Sequence, residues 1–341
     1  MPKILYLSVH SILEYLEVKL LSELGYEVFS PGAYLDPQGG DGMRPSLEGI
    51  NYNPDALALY HQICGQHSGK DGKYHLTKEL VDKFDIILVM HDPKLIQANW
   101  DVMKHKRVVW RTIGQSISPV EQSLSRFRGE GMEIVRYSPM ERNIPGYIGE
   151  NALIRFYQDE HVYTGWTGEQ ERIINFTQDM KRRDQACNYT FFEEVTRPFP
   201  RHLFGPRNEG QSWTSGKISY TQQLIEYRTN RCYMYTGTKP ASVTLNFIEA
   251  LQTGIPMICI GADHGNGKDF PGHDLYEIPN IIKNGVNGFI SDDKDELQSY
   301  IKQMLTDYDY AKKISQAGRA TGIELFGKQN IKQAWKQYLG E

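Results

Sequence analysis

The sequence predicts an α/β protein of two doubly wound domains, each a mainly parallel sheet with helices on both faces. Short apolar runs, such as residues 3–9 and 85–90, alternate with helix-length amphipathic segments. This alternation is typical of parallel strands joined by crossover helices. The pattern restarts after about residue 160, and a length of 341 residues favours two domains over one.

The first half supplies the elements of the first sheet. Residues 3–9 are predicted to form a buried strand that leads into a helix at residues 12–24, which ends at Gly25. The polar stretch 31–53 is rich in Gly, Pro and Asp, and we expect a long loop there. The remaining predicted elements are strands at 26–29, 85–90, 107–110 and 133–137, a helix at 77–84 and a helix that begins at Pro93.

The second half repeats the same order of elements. Strands are predicted at residues 172–176, 202–204, 231–235, 257–260 and 288–290. Helices are predicted at residues 190–195, 220–228, 243–252, 294–305, 310–325 and 329–339. We therefore divide the chain into domains 1–160 and 161–327, and we expect the C-terminal helix 328–341 to pack back on the first. The two domains are expected to face each other across a cleft, with ligands at the carboxyl ends of the strands.

Composition excludes several classes of protein. The formal charge of −4 gives no general attraction to nucleic acid or to an anionic membrane. The four cysteines form no CxxC pair, which argues against a disulfide framework or a zinc site. No apolar run approaches the roughly 18 residues that span a bilayer, and the N-terminus lacks a signal-peptide pattern. We expect a cytoplasmic protein with no membrane span and no bound metal.

Residues 236–261 carry the most specific pattern in the chain. A strand ends before Gly237, and Ser242 is a predicted N-cap for a helix that ends at Gly254, with Pro256 opening the next strand. The start of that helix has free N–H groups and the positive end of the helix dipole. It is therefore a predicted site for an anion such as a pyrophosphate.

Glu249 lies further along this helix, among apolar neighbours on nearly every side. The carboxylate should be buried, and a buried carboxylate needs a partner. One interpretation is an internal salt bridge or helix-cap contact. The other is a hydrogen-bond acceptor for ligand hydroxyls, such as those of a ribose.

The segment resembles the C-terminal half of the family 4 retaining glycosyltransferases, whose GT-B fold has two Rossmann-like domains. Glu249 and Ala250, Gly254, Pro256 and the run 284–289 (NGVNGF) match that family in order and spacing. The resemblance covers roughly residues 170–341. It implies metal-independent transfer of a sugar from a nucleotide-sugar, with UDP-sugar the expected donor, to an acceptor hydroxyl with retention of configuration. No cofactor is implied, because the nucleotide-sugar is a substrate.

The resemblance also implies roles for individual residues. Glu249 would bind the donor ribose, and the N–H groups of Val243, Thr244 and Leu245 would meet the pyrophosphate. One departure concerns the first glutamate of the family motif, which falls on Ala241 here. That glutamate usually contacts the donor sugar, so the sugar contacts must come from elsewhere.

Other donor-side residues follow the strands of the second half. Lys181, Arg182 and Arg183 come shortly after residue 176, where the resemblance implies basic residues that offset the pyrophosphate charge, with Arg182 the catalytic candidate. A solvated basic turn is an equal alternative. Arg207 follows the strand at 202–204 and could contact the base or a phosphate, although a surface loop is an equal alternative. Three further features are expected to line the donor site: Gly237, Thr238 and the glycine-rich loop 261–271, interpreted as a mobile loop.

The first half supplies candidates for the acceptor side. His91 and Asp92 follow a predicted strand, where either could contact the acceptor hydroxyl and accept its proton. The alternative for Asp92 is to cap the helix that begins at Pro93. His10, Arg111 and Gln115 also follow predicted strands and are expected to face the acceptor.

The sequence pattern is also compatible with two other functions, and it does not define the acceptor. A nucleotide-sugar epimerase of the same fold would need no acceptor, and a non-catalytic nucleotide-sugar-binding protein would fit the lost glutamate. The stretch 104–142 is locally basic, which suggests a modified DNA base as one acceptor. DNA is not favoured over a glycan or lipid-linked glycan acceptor, because a solvated basic face explains the same charges.

Overall fold

The computed structural model describes residues 2–8, 10–30, 53–64, 75–267 and 274–340. The chain forms two compact units. The first contains Met1–Arg155 together with Lys332–Glu341, and the second contains Phe156–Ile331. Each unit is built around one six-stranded sheet whose strand pairings are all parallel.

The sheet of the first unit has the order β2-β1-β3-β4-β5-β6, so the strand order reverses between β1 and β3. Its strands are β1 (Lys3–Ser8), β2 (Glu27–Phe29), β3 (Ile86–Met90), β4 (Arg107–Arg111), β5 (Glu133–Arg136) and β6 (Ala152–Leu153). Its helices are α1 (Ser11–Glu23), α2 (Pro54–Cys64), α3 (Lys78–Val81), α4 (Pro93–Met103) and α5 (Ser118–Gly129), followed by a 3₁₀ helix at Pro139–Asn143. In such sheets ligands bind where the order reverses, outside the carboxyl ends of the strands.

The sheet of the second unit has the order β12-β11-β10-β7-β8-β9, and its order reverses between β7 and β10. Its strands are β7 (Gln170–Phe176), β8 (Arg201–Phe204), β9 (Thr214–Ser215), β10 (Asn230–Tyr235), β11 (Met257–Ile260) and β12 (Phe289–Ser291). The helices are α6 (Asp184–Cys187), α7 (Tyr189–Thr196), α8 (Tyr220–Thr229), α9 (Leu245–Thr253), α10 (Ala262–Asn266), α11 (Ile278–Ile281), α12 (Lys294–Thr306), α13 (Tyr308–Phe326) and α14 (Lys328–Leu339).

The end of α14 belongs to the first unit and is fixed there by aromatic and polar contacts. Trp335 is fully buried, with the Arg111 guanidinium 5.6 Å from its ring. Arg107 stacks 4.8 Å over the Tyr338 ring and donates to the Tyr338 carbonyl at 3.1 Å. The final residues therefore complete the packing of β4.

The buried strands were predicted well because parallel strands covered on both faces are continuous apolar runs. All residues of β3, β10 and β11 are buried. The sequence prediction missed α2, α5 and the two-residue strands β6 and β9. It was also wrong in assigning the whole of 261–271 to a loop, because α10 occupies five of these residues. Residues 31–52 of the other predicted loop, and 268–271 of this one, lie outside the described residues.

Within the described residues, no helix combines the length and apolarity needed to cross a bilayer. The same residues contain no group of three or more His, Cys, Asp and Glu side chains placed to hold a metal ion. Cys187, Cys232 and Cys259 are buried free thiols. Burial raises the pKa of Cys232 to about 12, so this thiol stays protonated.

Candidate functional site

The start of α9 lies at the point where the strand order of the second sheet reverses. Asn246, in its first turn, donates through Nδ2 to the Phe176 carbonyl at the end of β7 and to the Tyr233 hydroxyl of β10, the latter at 3.0 Å. These bonds hold the helix terminus between the two central strands. The first N–H groups of a helix have no carbonyl partner within it, so those of Leu245 and Asn246 can donate hydrogen bonds to an anion.

The helix begins later than predicted. Its N-cap is Thr244, with φ −117° and ψ 160°. Ser242 was the predicted cap, but it is 1% exposed and its carbonyl accepts from the Glu277 N–H at 3.2 Å. That bond holds the segment before Thr244 in a non-helical conformation. Leu245 therefore presents a terminal N–H as predicted, whereas Ser242 and Val243 precede the helix.

Two arginines that follow different strands, β7 and β8, share one carboxylate. Asp179 is buried, and its Oδ2 lies 2.7 Å from Arg182 Nε and 3.4 Å from Arg207 Nε. The arginine side chains are 72% and 61% exposed. Two guanidinium groups on one carboxylate leave a net positive charge facing solvent, which suits a phosphate group. We call Asp179, Arg182 and Arg207 the arginine pair site.

The backbone at the arginine pair site is unusual. Asp179 and Arg207 both have positive φ, at 49° and 66°, which is uncommon for residues other than glycine. The Asp179 N–H donates to the Pro206 carbonyl at 2.9 Å, and Asn208 Oδ1 accepts from the Met180 N–H at 2.9 Å. These bonds join the loops after β7 and β8. Left-handed conformations held in this way are found at ligand sites more often than elsewhere.

Four other residues were predicted to bind or line the donor site: Lys181, Arg183, Gly237 and Thr238. Lys181 is exposed. The Arg183 side chain donates to the Gln178 carbonyl at 3.1 Å, and the Arg183 N–H donates to the Asp179 carbonyl at 3.1 Å. Gly237 is buried with φ 69°, and a Cβ there would lie 3.3 Å from the Tyr276 ring. Thr238 is half-buried, with its hydroxyl 3.9 Å from the Cys187 sulfur. Gly237 is therefore a buried turn residue.

Glu249 is buried and hydrogen-bonded within the second unit, which argues against its predicted contact with a ribose. It is 5% exposed, and both oxygens accept hydrogen bonds from the protein. Oε1 accepts from Gln158 at 3.0 Å and Tyr163 at 3.2 Å, and Oε2 accepts from Gln223 at 2.9 Å and Tyr227 at 3.0 Å. The carboxylate is held internally, but by neutral donors and not by the salt bridge or helix-cap contact of the internal interpretation, and none of the described residues forms an ion pair with it.

The four neutral donors only partly stabilise the charged form of this carboxyl group. Burial raises the pKa of Glu249 to about 7, and the hydrogen bonds from Tyr227 and Tyr163 act in the opposite direction. Burial likewise raises the pKa of both tyrosines well above the ordinary value. Sequence patterns gave no sign of these partners, because they come from separate segments of the second unit.

A cavity of about 600 Å³ opens at the carboxyl ends of β10, β11 and β12. Lys239 lines it from the turn between β10 and α9, and Asp263 and His264 line it from α10. Its other walls come from Asp292, which follows β12, and from residues of α6 and α7. Asp263 and His264 belong to the segment 261–271 that was expected to line the donor site, whereas Lys239, Asp292 and the residues of α6 and α7 were not singled out from the sequence.

In the first unit, His10 and His91 follow the two strands between which the order reverses. Ser8 of β1 pairs in register with Met90 of β3, so these histidines follow neighbouring strand ends. His10 caps α1 by accepting from the Leu13 N–H at Nδ1, 3.3 Å away. His91 has a positive φ of 48°, and burial lowers its pKa, with Asp92 opposing that effect.

Asp92 and Arg111 have structural roles that the sequence left open or did not anticipate. Asp92 Oδ1 accepts from the Leu95 N–H at 3.1 Å and caps α4, which was the alternative interpretation. Arg111 was predicted to face an acceptor. Instead it is fully buried, with Nη2 2.7 Å from Glu17 Oε1 and Nη1 2.7 Å from the Ile154 carbonyl. Gln115 is exposed after β4 and keeps its predicted access.

The basic stretch 104–142 carries matched negative charge. Arg136 pairs with Glu121 at 2.6 Å in the interior of the unit, as Arg111 does with Glu17 at 2.7 Å. Six of its cationic side chains form ion pairs with carboxylates: Lys104, Arg107, Arg111, Arg126, Arg136 and Arg142. The local excess of lysine and arginine in the sequence is therefore mostly neutralised within the first unit.

Comparison with known proteins defines the fold. HepE from Anabaena, solved with UDP-glucose, is similar at 13% identity with a TM-score of 0.67 and 99% of each chain covered. This chain has the GT-B fold. A glycosyltransferase from Rickettsia africae also has a TM-score of 0.67 at 13% identity, with 100% of this chain and 99% of that one covered. Sucrose-phosphate synthase from Thermosynechococcus elongatus has a TM-score of 0.66 at 13% identity, covering 99% and 98%.

Sequence comparison adds no closer relative to this GT-B chain. No protein-family model matches it, and no curated protein matches it. The geometry of the candidate site is therefore the basis for the proposed function.

Proposed function

We propose that this GT-B chain is a glycosyltransferase that binds a nucleoside diphosphate sugar on its second unit. The single observation that carries the proposal is that the arginine pair site and the start of α9 are both attached to the carboxyl end of β7. Arg182 and Arg207 follow β7 and β8, and α9 is tied to the ends of β7 and β10. Both features attract a diphosphate, and both lie at the edge of the sheet where doubly wound folds bind nucleotides.

In the proposed reaction the bond between the sugar C1 and the diphosphate oxygen breaks, and C1 bonds to the acceptor oxygen. The hydroxyl loses its proton, and the departing nucleoside diphosphate gains negative charge. The two guanidinium groups and the N–H groups of Leu245 and Asn246 would stabilise that charge. UDP is the first donor nucleotide to test, because HepE was solved with UDP-glucose. Retention of configuration rests on the family 4 resemblance.

We propose that the first unit binds the acceptor, with His91 as the residue that contacts its hydroxyl. The lowered pKa of His91 keeps the imidazole neutral near neutral pH, and a neutral imidazole can accept a proton. Asp92 and Arg111 have no such role in this proposal, because they cap α4 and neutralise Glu17. A glycan or lipid-linked glycan remains the proposed acceptor.

Ligand-dependent unfolding tests the donor site. UDP at about 100 times its Kd should raise the free energy of unfolding by about 2.7 kcal/mol. The double variant Arg182→Ala/Arg207→Ala should lose this stabilisation. Arg197→Ala is the matched control, since Arg197 is also exposed in the second unit, at 66%. If UDP and other nucleoside diphosphates stabilise the double variant as much as the wild type, the proposed donor site is wrong.

One observation favours a second candidate, a nucleotide-sugar-binding protein without transferase activity. Ala241 replaces the first glutamate of the family 4 motif, and Glu249 is held by internal hydrogen bonds. Mass analysis of UDP-glucose incubated with the protein separates the candidates. With no acceptor added, a glycosyltransferase should release UDP slowly as water takes the sugar, and His91→Ala should abolish this release while UDP still binds. An epimerase would give an isomer of the donor, and a binding protein would leave it unchanged.

A further inference from the structure

The cavity at the ends of β10, β11 and β12 has a lining of one dominant charge. Asp184, Glu194, Asp263 and Asp292 contribute four carboxylates, against the single ammonium of Lys239. Lys239 donates to Asn188 Oδ1 at 3.1 Å, which fixes it at one wall. A diphosphate would be repelled here, so the cavity and the arginine pair site suit opposite kinds of chemical group.

The carboxylates in the cavity differ in the hydrogen bonds that they already accept from the protein. Asp292 Oδ1 accepts from the His264 N–H and lies 2.9 Å from His264 Nδ1, and its Oδ2 accepts from the Asp263 N–H. Asp184 accepts from the Thr190 N–H at 2.8 Å. The Asp263 side chain is exposed, and none of the described residues forms a hydrogen bond or ion pair with its carboxylate. Asp263 is therefore the carboxylate most open to a ligand.

The cavity also has an apolar wall. The rings of Phe191 and His264 are stacked with their centroids 3.8 Å apart and their planes at 21°. Pockets that combine an aromatic surface with a few polar groups hold small ligands by packing and orient them by hydrogen bonds. The carbon face of a sugar ring can pack on such a wall while its hydroxyls donate to carboxylates.

Two loops connect the cavity to the proposed diphosphate site. The loop after β7 carries Asp179 and Arg182 and continues into Asp184 of the cavity wall. The turn after β10 carries Lys239 and continues to the start of α9. A ligand with its diphosphate at the arginine pair site can therefore extend its other end toward the cavity within the same unit.

We propose that this cavity receives the donor sugar and selects an uncharged or amine-bearing sugar over a uronic acid, with Asp263 setting the preference. The inference rests on the proposed function, because it requires a nucleotide-sugar in the second unit. A sugar carboxylate would add a like charge to the four already present. One like-charge pair near a protein surface corresponds to about a tenfold loss of affinity.

Calorimetric titration with UDP, UDP-glucose and UDP-glucuronate tests the inference on the full chain. The wild type should bind UDP-glucose more tightly than UDP, and UDP-glucuronate about tenfold more weakly than UDP-glucose. Asp263→Asn should tighten UDP-glucuronate about tenfold and leave UDP unchanged. Asp309→Asn is the matched control, because Asp309 is also an exposed aspartate in the first turn of a helix.

The outcomes separate the two proposals. If UDP and the other nucleoside diphosphates fail to bind, the proposed function itself is wrong. If UDP binds but the glucose adds no affinity, the sugar does not occupy the cavity and the inference is overturned. Equal affinities for the two sugar nucleotides, or an Asp263→Asn protein that behaves as Asp309→Asn does, would also overturn it and leave the donor site in place.

Discussion

Replacing Glu249 with glutamine should remove a pH dependence from the stability of the second unit. The folded state raises the pKa of this carboxyl group from 4.5 to about 7. Between these values the folded protein holds a proton that the unfolded chain has lost. The free energy of unfolding contributed by this group therefore falls as the pH rises from about 5 to about 8, and it is constant at higher pH.

The size of the effect follows from the two pKa values. Each pH unit between them corresponds to about 1.4 kcal/mol, so ionising Glu249 should cost about 3 kcal/mol. Glu249→Gln cannot ionise. Its amide must donate where Gln223 or Tyr227 now donates, and this rearrangement should cost about 1–3 kcal/mol at every pH. At about pH 5 the variant should therefore have the lower free energy of unfolding. By about pH 8 the wild type should have lost about 3 kcal/mol of its free energy of unfolding, which the variant keeps.

Urea unfolding of both proteins at several pH values, followed by circular dichroism, measures this difference. Because the chain has two units, hydrogen exchange of peptides from α8 and α9 should be recorded in parallel to report the second unit alone. Glu169→Gln, which replaces an exposed glutamate of the same unit, is the control and should keep the pH dependence of the wild type, because Glu249 is intact. A wild-type to Glu249→Gln difference that stays constant from about pH 5 to about pH 8 would refute the reasoning.

Two other substitutions test structural roles. Asp179→Asn removes a negative charge, which on charge alone should favour a bound diphosphate. We nevertheless expect the Kd of UDP to rise about tenfold, because Arg182 and Arg207 lose their common anchor. Calorimetry measures this Kd, and tighter binding would contradict the anchoring role. Arg111→Ala leaves the Glu17 carboxylate buried without its cation and should lower the free energy of unfolding by about 3–5 kcal/mol. Urea unfolding measures it, and a loss below about 1 kcal/mol would show that the pair matters little.

The sequence predicted the fold where one element carries its own signal. Strand β11 was placed correctly because four buried apolar residues lie between Pro256 and a glycine. Helix α5 was missed because its 12 residues are mostly polar, with only Glu121, Leu124 and Phe127 buried. A strand packed on both faces must be apolar throughout, whereas a surface helix needs only a narrow apolar stripe.

Less of the site could be predicted, because its geometry depends on contacts between distant segments. The burial of Glu249 followed from its apolar neighbours, but its four donors are spread from Gln158 to Tyr227 and share no local pattern. Arg182 and Arg207 were each singled out from the sequence. Their common anchor at Asp179 depends on left-handed backbone at two non-glycine residues, which sequence propensity argues against.

The return of α14 to the first unit has a practical consequence for dissecting the protein. In chain order the second unit, Phe156–Ile331, is an insert within the first. A shortened gene that stops after residue 331 would remove Trp335 from beside Arg111 and Tyr338 from beside Arg107. Isolating the first unit therefore requires joining residue 155 to residue 332. Truncation of the C-terminus would therefore disrupt the packing of the first unit.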